Sequence, residues 1–241
     1  MKLDVAFTPD GFDKKIEKAA NVAVIDVLRA SSSIITAFAH GACAIIPAVS
    51  KDEALAIAGT RDRKKFLFCG EKDGLRIPGF DLGNSPREYT RQAVDGKNLI
   101  FVSTNGSQMM VKAVRGKRPL LIAGFLNLQS ASARIAGSGE DCLLACSGRE
   151  GQYSLEDTVC AGMMAAEIRR FFPGTVSFSD EALSAMILYR HFADDLAGMA
   201  GESLHGRYLS GLGLKQDIPY CVSLNHFNLV PIFKKSALRL A

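Results

Sequence analysis

The chain has 241 residues, 48% of them hydrophobic and 22% charged, enough for one sizeable core or two smaller ones. Its 29 Lys and Arg stand against 25 Asp and Glu, a net +4, and the bases fall in short separated clusters at 61–65, 169–170 and 234–235. Such dispersal reads as solvated surface and argues against a nucleic-acid partner. No apolar run reaches the ~18–20 residues of a membrane span, and MKLDVAFTPDGF lacks a secretory apolar core, so a cytoplasmic protein with no membrane partner is expected.

In chain order, LDVAF (3–7) and VAVIDV (22–27) read as strands, and 31–40 as a helix with Ser31, Ser32 and Ser33 available to cap it. CAIIPAV (43–49) is strand-like, and DEALAIAG (52–59) is a helix stopped by Gly59. KFLFCG (65–70) is a short strand. The Gly- and Pro-containing stretch after it reads as loop until SPREYTRQAV, a helix with Ser85 as N-cap and Pro86 at its first position. NLIFVSTNGSQMMVKAV (98–114) is strand, loop, helix; LLIAGF (120–125) is a strand, LQSASARIA (128–136) a helix and DCLLACSG (141–148) a strand. A helix over 154–171 opens with Ser154 three residues before Asp157, close to a capping box, and 179–200 reads as one last long helix. In the remainder only YCVSL (220–224) reads as a strand.

This alternation predicts a three-layer α/β fold, with a mainly parallel or mixed sheet covered by helices on both faces. No linker marks a domain boundary, so residues 1–241 are taken as one unit, with two closely packed α/β halves as the alternative. The six cysteines form no CxxC pair and read as buried, reduced thiols.

In such a sheet the ligand crevice lies beyond the carboxyl ends of the strands. Three ends are alike: VIDVLRASSS, FVSTNGSQ and LLACSGREGQYSLED each finish an apolar strand with small or hydroxylated residues and then start a helix. Ser31, Thr104 and Ser154 read either as plain helix caps or as parts of an anion cradle at helix N-termini. Arg29 adds a guanidinium able to grip two oxygens of a phosphate or sulfonate, and a salt bridge with Asp26 is compatible with that role. Asp26, Glu71, Asp81, Glu156 and Asp157 sit near strand ends, where they either cap helices and pair with Arg76, Arg87 and Arg149, or hold a hard divalent ion such as Mg²⁺. GxxxxGK[ST], GxGxxG, DxDx[TV] and the cysteine-phosphatase loop are all missing, and the histidines at 40, 191, 205 and 226 form no metal-ligand spacing.

Taken in order, IDVLRASSS, GEKDGLRIPGFDLGNSPREY, STNGSQ, CSGREGQYSLED, SDEAL and GLKQDIPYCVSLNHFNLVP resemble the 2-phosphosulfolactate phosphatases of coenzyme M biosynthesis over nearly the whole chain. The resemblance implies Mg²⁺-dependent hydrolysis of a small phosphorylated and sulfonated hydroxy acid. It implies Asp26, Arg29, Glu71 and Asp157 as catalytic residues, and Arg29, Ser31, Asn84, Ser85, Thr104, Asn105, Gly106 and Gly148 as substrate-binding ones. Asp26, Glu71, Asp81 and Asp157 are the implied metal ligands; Gly74, Gly83, Glu156, Asp180 and Asp217 also match. Lys72, Ser103 and Ser107 depart from the pattern. Another small phosphorylated acid as substrate, or a non-catalytic metabolite-binding role, is the alternative. A symmetric dimer is expected only as the commonest state of small metabolic enzymes.

Overall fold

The computed structural model describes residues 1–59, 65–116 and 118–240. In chain order the strands are β1 (Lys2–Ala6), β2 (Asn21–Ile25), β3 (Ala44–Ala48), β4 (Phe66–Lys72), β5 (Leu75–Arg76), β6 (Asn98–Val102), β7 (Leu120–Ala123), β8 (Cys142–Cys146), β9 (Ser177–Phe178), β10 (Pro231–Lys234) and β11 (Ala237–Leu240). The helices are α1 (Pro9–Lys15), α2 (Ala30–Ala39), α3 (Lys51–Ala58), α4 (Arg91–Val94), α5 (Gly106–Arg115), α6 (Leu128–Ser138), α7 (Leu155–Phe171), α8 (Asp180–Phe192), α9 (Leu196–Glu202), α10 (Leu204–Gly211) and α11 (Asp217–Cys221).

The strands form one sheet in the order β5-β4-β6-β3-β11-β10-β7-β2-β8-β1-β9. Two blocks are internally parallel: β4-β6-β3 on one side and β7-β2-β8-β1-β9 on the other. The C-terminal β10–β11 hairpin joins them, pairing antiparallel with β7 through Ile232 and Leu121 and with β3 through Leu238 and Ile45. Three antiparallel steps lie between β3 and β7, so the two blocks run in opposite senses.

Burial follows the two-residue period of a strand covered on both faces. Ala23 and Ile25 of β2, Leu121 and Ala123 of β7, and Leu144 and Cys146 of β8 pack into a core with Val159, Met164 and Ile168 of α7. Their neighbours Val22, Val24, Leu120, Ile122, Leu143 and Ala145 face the opposite core, with Ile34 and Phe38 of α2 and Met109 and Met110 of α5. The continuous apolar runs of the sequence are therefore the central strands. Gly162 sits where α7 meets α8: a Cβ there would fall against the carbonyl group of Ala185, so only glycine admits this close approach of the two helices.

Several elements differ from the sequence expectation. The 85–94 helix is a 3₁₀ turn at Pro86–Glu88 followed by α4, which Thr90 caps through Ala93 N. The 179–200 helix is two, because Asp195 Oδ1 accepts from Gly198 N at 2.7 Å and starts a new helix. YCVSL is no strand: Tyr220 and Cys221 close α11, and the true C-terminal strands lie beyond. Their hairpin turns on Lys235 and Ser236 at φ 48° and 72°, a left-handed pair that lacks the Asn-Gly signal by which such turns are recognised.

Five cysteines are buried and Cys43 is exposed, and none is in a disulfide. The basic residues at 169–170 and 234–235 are exposed, whereas Arg61, Arg63 and Lys64 lie outside the described residues. Among the described residues no helix is long and apolar enough to cross a membrane.

Candidate active site

The chain after β2 turns sharply at Asp26 and enters α2, and the acid itself starts that helix. Asp26 Oδ1 accepts from Ala30 N (3.0 Å) and its carbonyl from Ser31 N (2.8 Å), while Ser31 Oγ accepts from Asp26 N (3.0 Å). The expected capping serines are thus anchors instead. Ser32 Oγ donates to Val27 O and Ser33 Oγ to Asn84 O, so fully buried hydroxyls stay satisfied while fixing the strand end to the loop at 84.

Arg29 does not pair with Asp26. Its Nη1 donates to Asp217 Oδ2 (2.8 Å) and its Nη2 to Gly74 O (2.7 Å), with both charged side chains almost fully buried. Asp217 also accepts from Ser85 Oγ (2.7 Å). That bond takes Ser85 out of the pocket and into the support of Arg29.

Glu71 ends β4. Its Oε1 accepts from Thr104 N (2.7 Å), and its Oε2 from Gly74 N (2.7 Å) and Thr104 Oγ1 (3.1 Å). Asp73 and Gly74 are the two left-handed residues of the β4–β5 hairpin, an Asp-Gly turn inside the stretch expected to be loop. The turn presents the Gly74 carbonyl to Arg29 and the Gly74 amide to Glu71.

Asp26, Leu28, Arg29, Glu71, Asp73, Gly74, Asn84, Thr104, Asn105, Arg149, Glu150, His205 and Tyr208 line one pocket of about 420 Å³, open mouth included. Most lie at or just after the carboxyl ends of β2, β4, β6 and β8, while Asn84 comes from the loop after β5 and His205 and Tyr208 from α10, so both blocks of the sheet contribute although they run in opposite senses. Of the expected residues, Asp26, Arg29, Glu71, Gly74, Asn84, Thr104 and Asn105 meet here. Asn84 is 5% exposed and its Oδ1 has no protein partner, leaving a buried acceptor in the wall of the pocket.

The other expected residues lie behind or beside this wall. Asp157 is buried, with Oδ1 accepting from Val27 N (2.8 Å) and Oδ2 from Gly148 N (3.2 Å), so it stitches β2 to the turn after β8. Ser154 caps α7 through Asp157 N as expected, while the Asp157 carboxylate points to those two amides. Gly148 takes φ 66° at that turn and Gly83 donates its amide to Glu88. Asp81 is exposed and its Oδ2 accepts from Phe68 N (2.7 Å), securing the loop to β4. Asp180 opens α8, where Ser179 is the cap.

Gly106 opens α5 directly against Asp26. A Cβ at Gly106 would lie 2.5 Å from Asp26 Oδ2 and 2.6 Å from the Ala30 Cβ, so only glycine lets this helix start approach the acid. Gly106→Ala is expected to lower phosphate release by about tenfold or more, because misplacing a reacting group is costly, while leaving a folded protein by circular dichroism. Wild-type rates in this variant would show that the Asp26 position is not critical.

The electrostatics are dominated by converging acids. The Asp26 carboxyl is pushed up to about 6: burial raises it most, Glu71 and Glu156 add to the rise, and His205 and the Ala30 amide oppose it. Burial, then the charges of Asp26 and Glu156, hold Asp157 well above the usual carboxylate range. Glu156 is held low: hydrogen bonding and charge from His205 outweigh its burial, and His205 Nδ1 lies 3.7 Å from Glu156 Oε1. His205, Arg149 and Tyr208 are pocket residues that sequence reasoning missed, since a lone histidine and a loop arginine carry no spacing signal. Only the packing of α10 against the strand ends brings in His205 and Tyr208, whereas Arg149 follows β8.

A hard cation fits this wall in part. Asp26 and Glu71 offer the one or two carboxylates that Mg²⁺ takes when water and substrate complete its shell, and a cation would offset the burial and the neighbouring acids that together raise Asp26. Asp81 and Asp157 are engaged elsewhere, and among the described residues no three of His, Cys, Asp and Glu form a metal-holding group by themselves. The set suits a partly hydrated ion and not an all-protein cage.

An α/β sheet whose strand ends gather acids, a buried arginine and helix starts around one pocket defines a site for oxyanion chemistry of the phosphoryl kind. The family model described as 2-phosphosulpholactate phosphatase matches residues 6–236. A probable 2-phosphosulfolactate phosphatase of Symbiobacterium thermophilum is 37% identical over 228 residues, covering 93% of this chain and 96% of its own. Proteins with the same name from Caldanaerobacter subterraneus and Clostridium novyi are each 34% identical, covering 92% and 97% of this chain and 91% and 97% of theirs. The chain belongs to the 2-phosphosulfolactate phosphatase family, and it is a phosphatase, a hydrolase of phosphoric monoesters.

Proposed function

We propose that this phosphatase hydrolyses 2-phosphosulfolactate to sulfolactate and inorganic phosphate, as a step in the making of coenzyme M or a related sulfonate, and that it uses Mg²⁺. The observation that carries the reading is the pairing, in one pocket, of the immobilised acids Asp26 and Glu71 with the immobilised base Arg29. Acids lining a site for an anionic ester repel it unless a cation lies between, so this wall favours catalysis over passive anion binding. Free thiols throughout suit a reducing compartment such as the cytoplasm.

In this reading Arg29, with Asp217 and Gly74 O fixing its orientation, directs its remaining N–H groups to the phosphoryl oxygens. Preorganised donors of this sort act where charge develops and need no reorganisation during reaction. Asp26 and Glu71 would hold the metal, which when bound supplies charge neutralisation and Lewis acidity at a phosphoryl oxygen. Asn84 Oδ1, a buried acceptor without a protein partner, is suited to a hydroxyl or an ordered water beside the ester. The phosphorus–ester oxygen bond breaks, the oxygen of water ends on phosphorus, and sulfolactate leaves with its hydroxyl restored.

The test is phosphate release from 2-phosphosulfolactate and from a panel of phosphorylated hydroxy acids, each with Mg²⁺ and with a chelator. Release strongest on 2-phosphosulfolactate and abolished by chelation supports the full reading. A better substrate elsewhere in the panel replaces the substrate, and turnover unaffected by chelator removes the metal.

A further inference from the structure

Two arginines reach the pocket and they are held in opposite ways. Arg29 is 3% exposed and both its Nη atoms are committed to partners inside the protein. Arg149 is less deeply held, with its side chain 19% exposed. It follows β8 in a tight turn, with Arg149 N donating to Gln152 O (3.0 Å) and Gln152 N to Arg149 O (2.8 Å) around left-handed Glu150 and Gly151. Its guanidinium lies over the Tyr208 ring, 4.5 Å from the centroid, and Tyr208 is itself tied by its hydroxyl to Asp73 O (2.9 Å). Its ion-pair partner is Glu150 at 3.1 Å, with the arginine side chain 19% and the glutamate side chain 68% exposed. A carboxylate that wet is readily exchanged for another anion.

Arg149 also belongs to two cavities at once. Besides the pocket with Asp26 and Arg29, it lines an adjoining hollow of about 640 Å³, open mouth included, with Tyr153, Ser154, Leu204 and His205 among its walls. A substrate whose phosphoryl group meets Arg29 and Asp26 has this hollow as the space for its carbon skeleton. Stacking restricts the guanidinium to one plane with its N–H edge available, the geometry that recognises planar or pyramidal oxyanions through two parallel hydrogen bonds.

We infer that Arg149, stacked on Tyr208 at the junction of the two cavities, is the specificity residue of this enzyme and binds the second, non-reacting anionic group of the substrate, a carboxylate or sulfonate. This rests on the phosphatase reading of the same pocket and adds to it a division of labour: Arg29 serves the group that is transferred and Arg149 the group that stays. Lysine at 149 would keep the charge but lose both the fork and the stacking.

The experiment compares Arg149→Ala and Arg149→Lys with the wild type on 2-phosphosulfolactate, on 2-phospholactate, which has only the carboxylate, and on phenyl phosphate, which has no second anion. Folding is checked by circular dichroism and melting. Arg149→Ala is expected to lower kcat/KM on 2-phosphosulfolactate by at least tenfold more than on phenyl phosphate, mainly through KM, with Arg149→Lys in between. An equal extra loss on 2-phospholactate identifies the carboxylate as the bound group, and a loss confined to 2-phosphosulfolactate identifies the sulfonate. Equal losses on all three esters overturn the inference and move Arg149 to the phosphoryl group. Calorimetric titration with sulfolactate and with inorganic phosphate separates this from the functional reading. If the wild type releases no phosphate from 2-phosphosulfolactate that reading fails, while at least tenfold weaker sulfolactate binding by Arg149→Ala, with a smaller loss for phosphate, still supports the inference. Unchanged sulfolactate affinity overturns it.

Discussion

Asp26→Asn is expected to lower kcat/KM for phosphate release by on the order of 10²–10³-fold or more, the scale seen when one preorganised group is removed from a reacting centre, while leaving the fold intact. The amide keeps an oxygen for Ala30 N and occupies the same volume, so the start of α2 survives. What disappears is a negative charge placed among Glu71 and Glu156, and with it any cation that charge holds. Stability should move the other way. Folding raises the Asp26 pKa from 3.8 to about 6, so the folded state binds the proton more tightly than the unfolded chain. The folded form is therefore favoured below about pH 4 and loses that advantage as pH rises through 6, at about 1.4 kcal/mol per unit. At pH 7 without metal the ionised carboxylate costs on the order of 3 kcal/mol, which asparagine does not incur. Urea denaturation at pH 7 with chelator should thus find the variant at least as stable as the wild type, with the gap closing near pH 4. Full activity in Asp26→Asn would remove Asp26 both as a metal ligand and as a catalytic residue. A large loss of stability would show that its charge supports the fold.

Asp217→Ala is expected to have the largest effect on stability, a loss of about 3–5 kcal/mol, the usual consequence of leaving one member of a buried ion pair alone. Arg29 Nη1 and Ser85 Oγ lose their acceptor together, in a place where both charged side chains are about 2–3% exposed. Activity should fall as well, since Arg29 would no longer be aimed. Asp217→Asn keeps an acceptor without the charge and should lie in between. The denaturation midpoint of each variant is the measurement, and a shift worth under 1 kcal/mol for Asp217→Ala would mean that water replaces the carboxylate and that the pair is not a structural anchor.

These two residues also mark where sequence reasoning succeeded and where it stopped. Asp26 was legible because a carboxylate at the end of the apolar run VAVI has to be justified by a partner or a function. The strands themselves were legible for the same kind of reason: runs buried on both faces have no polar alternation, and Gly and Pro punctuate them. Glu71, Thr104 and Asn105 could be assigned to a site because each follows such a run. The partner of Arg29 could not, since Asp217 lies 188 positions away and no local pattern connects them. The same holds for the serines after Arg29, which look like caps locally yet serve as anchors because the Asp26 carboxylate reaches Ala30 N first.

By itself, then, the sequence determined the α/β alternation, the placement of the central strands, the family and the acids and arginine at the first strand end, because these follow from local hydrophobic periodicity and from the chemistry of short contiguous motifs. The tertiary structure alone decided three further things. The C-terminal hairpin enters the middle of the sheet, because it is the neighbouring β3 and β7 edges that select those short strands. Asp81 and Asp157 secure backbone amides outside the pocket, because hydrogen-bond geometry and not residue type chooses which carboxylates are left to face a ligand. Arg149, Tyr208 and His205 join the site because long-range packing sets a loop and a helix side by side, a juxtaposition that no spacing along the chain encodes.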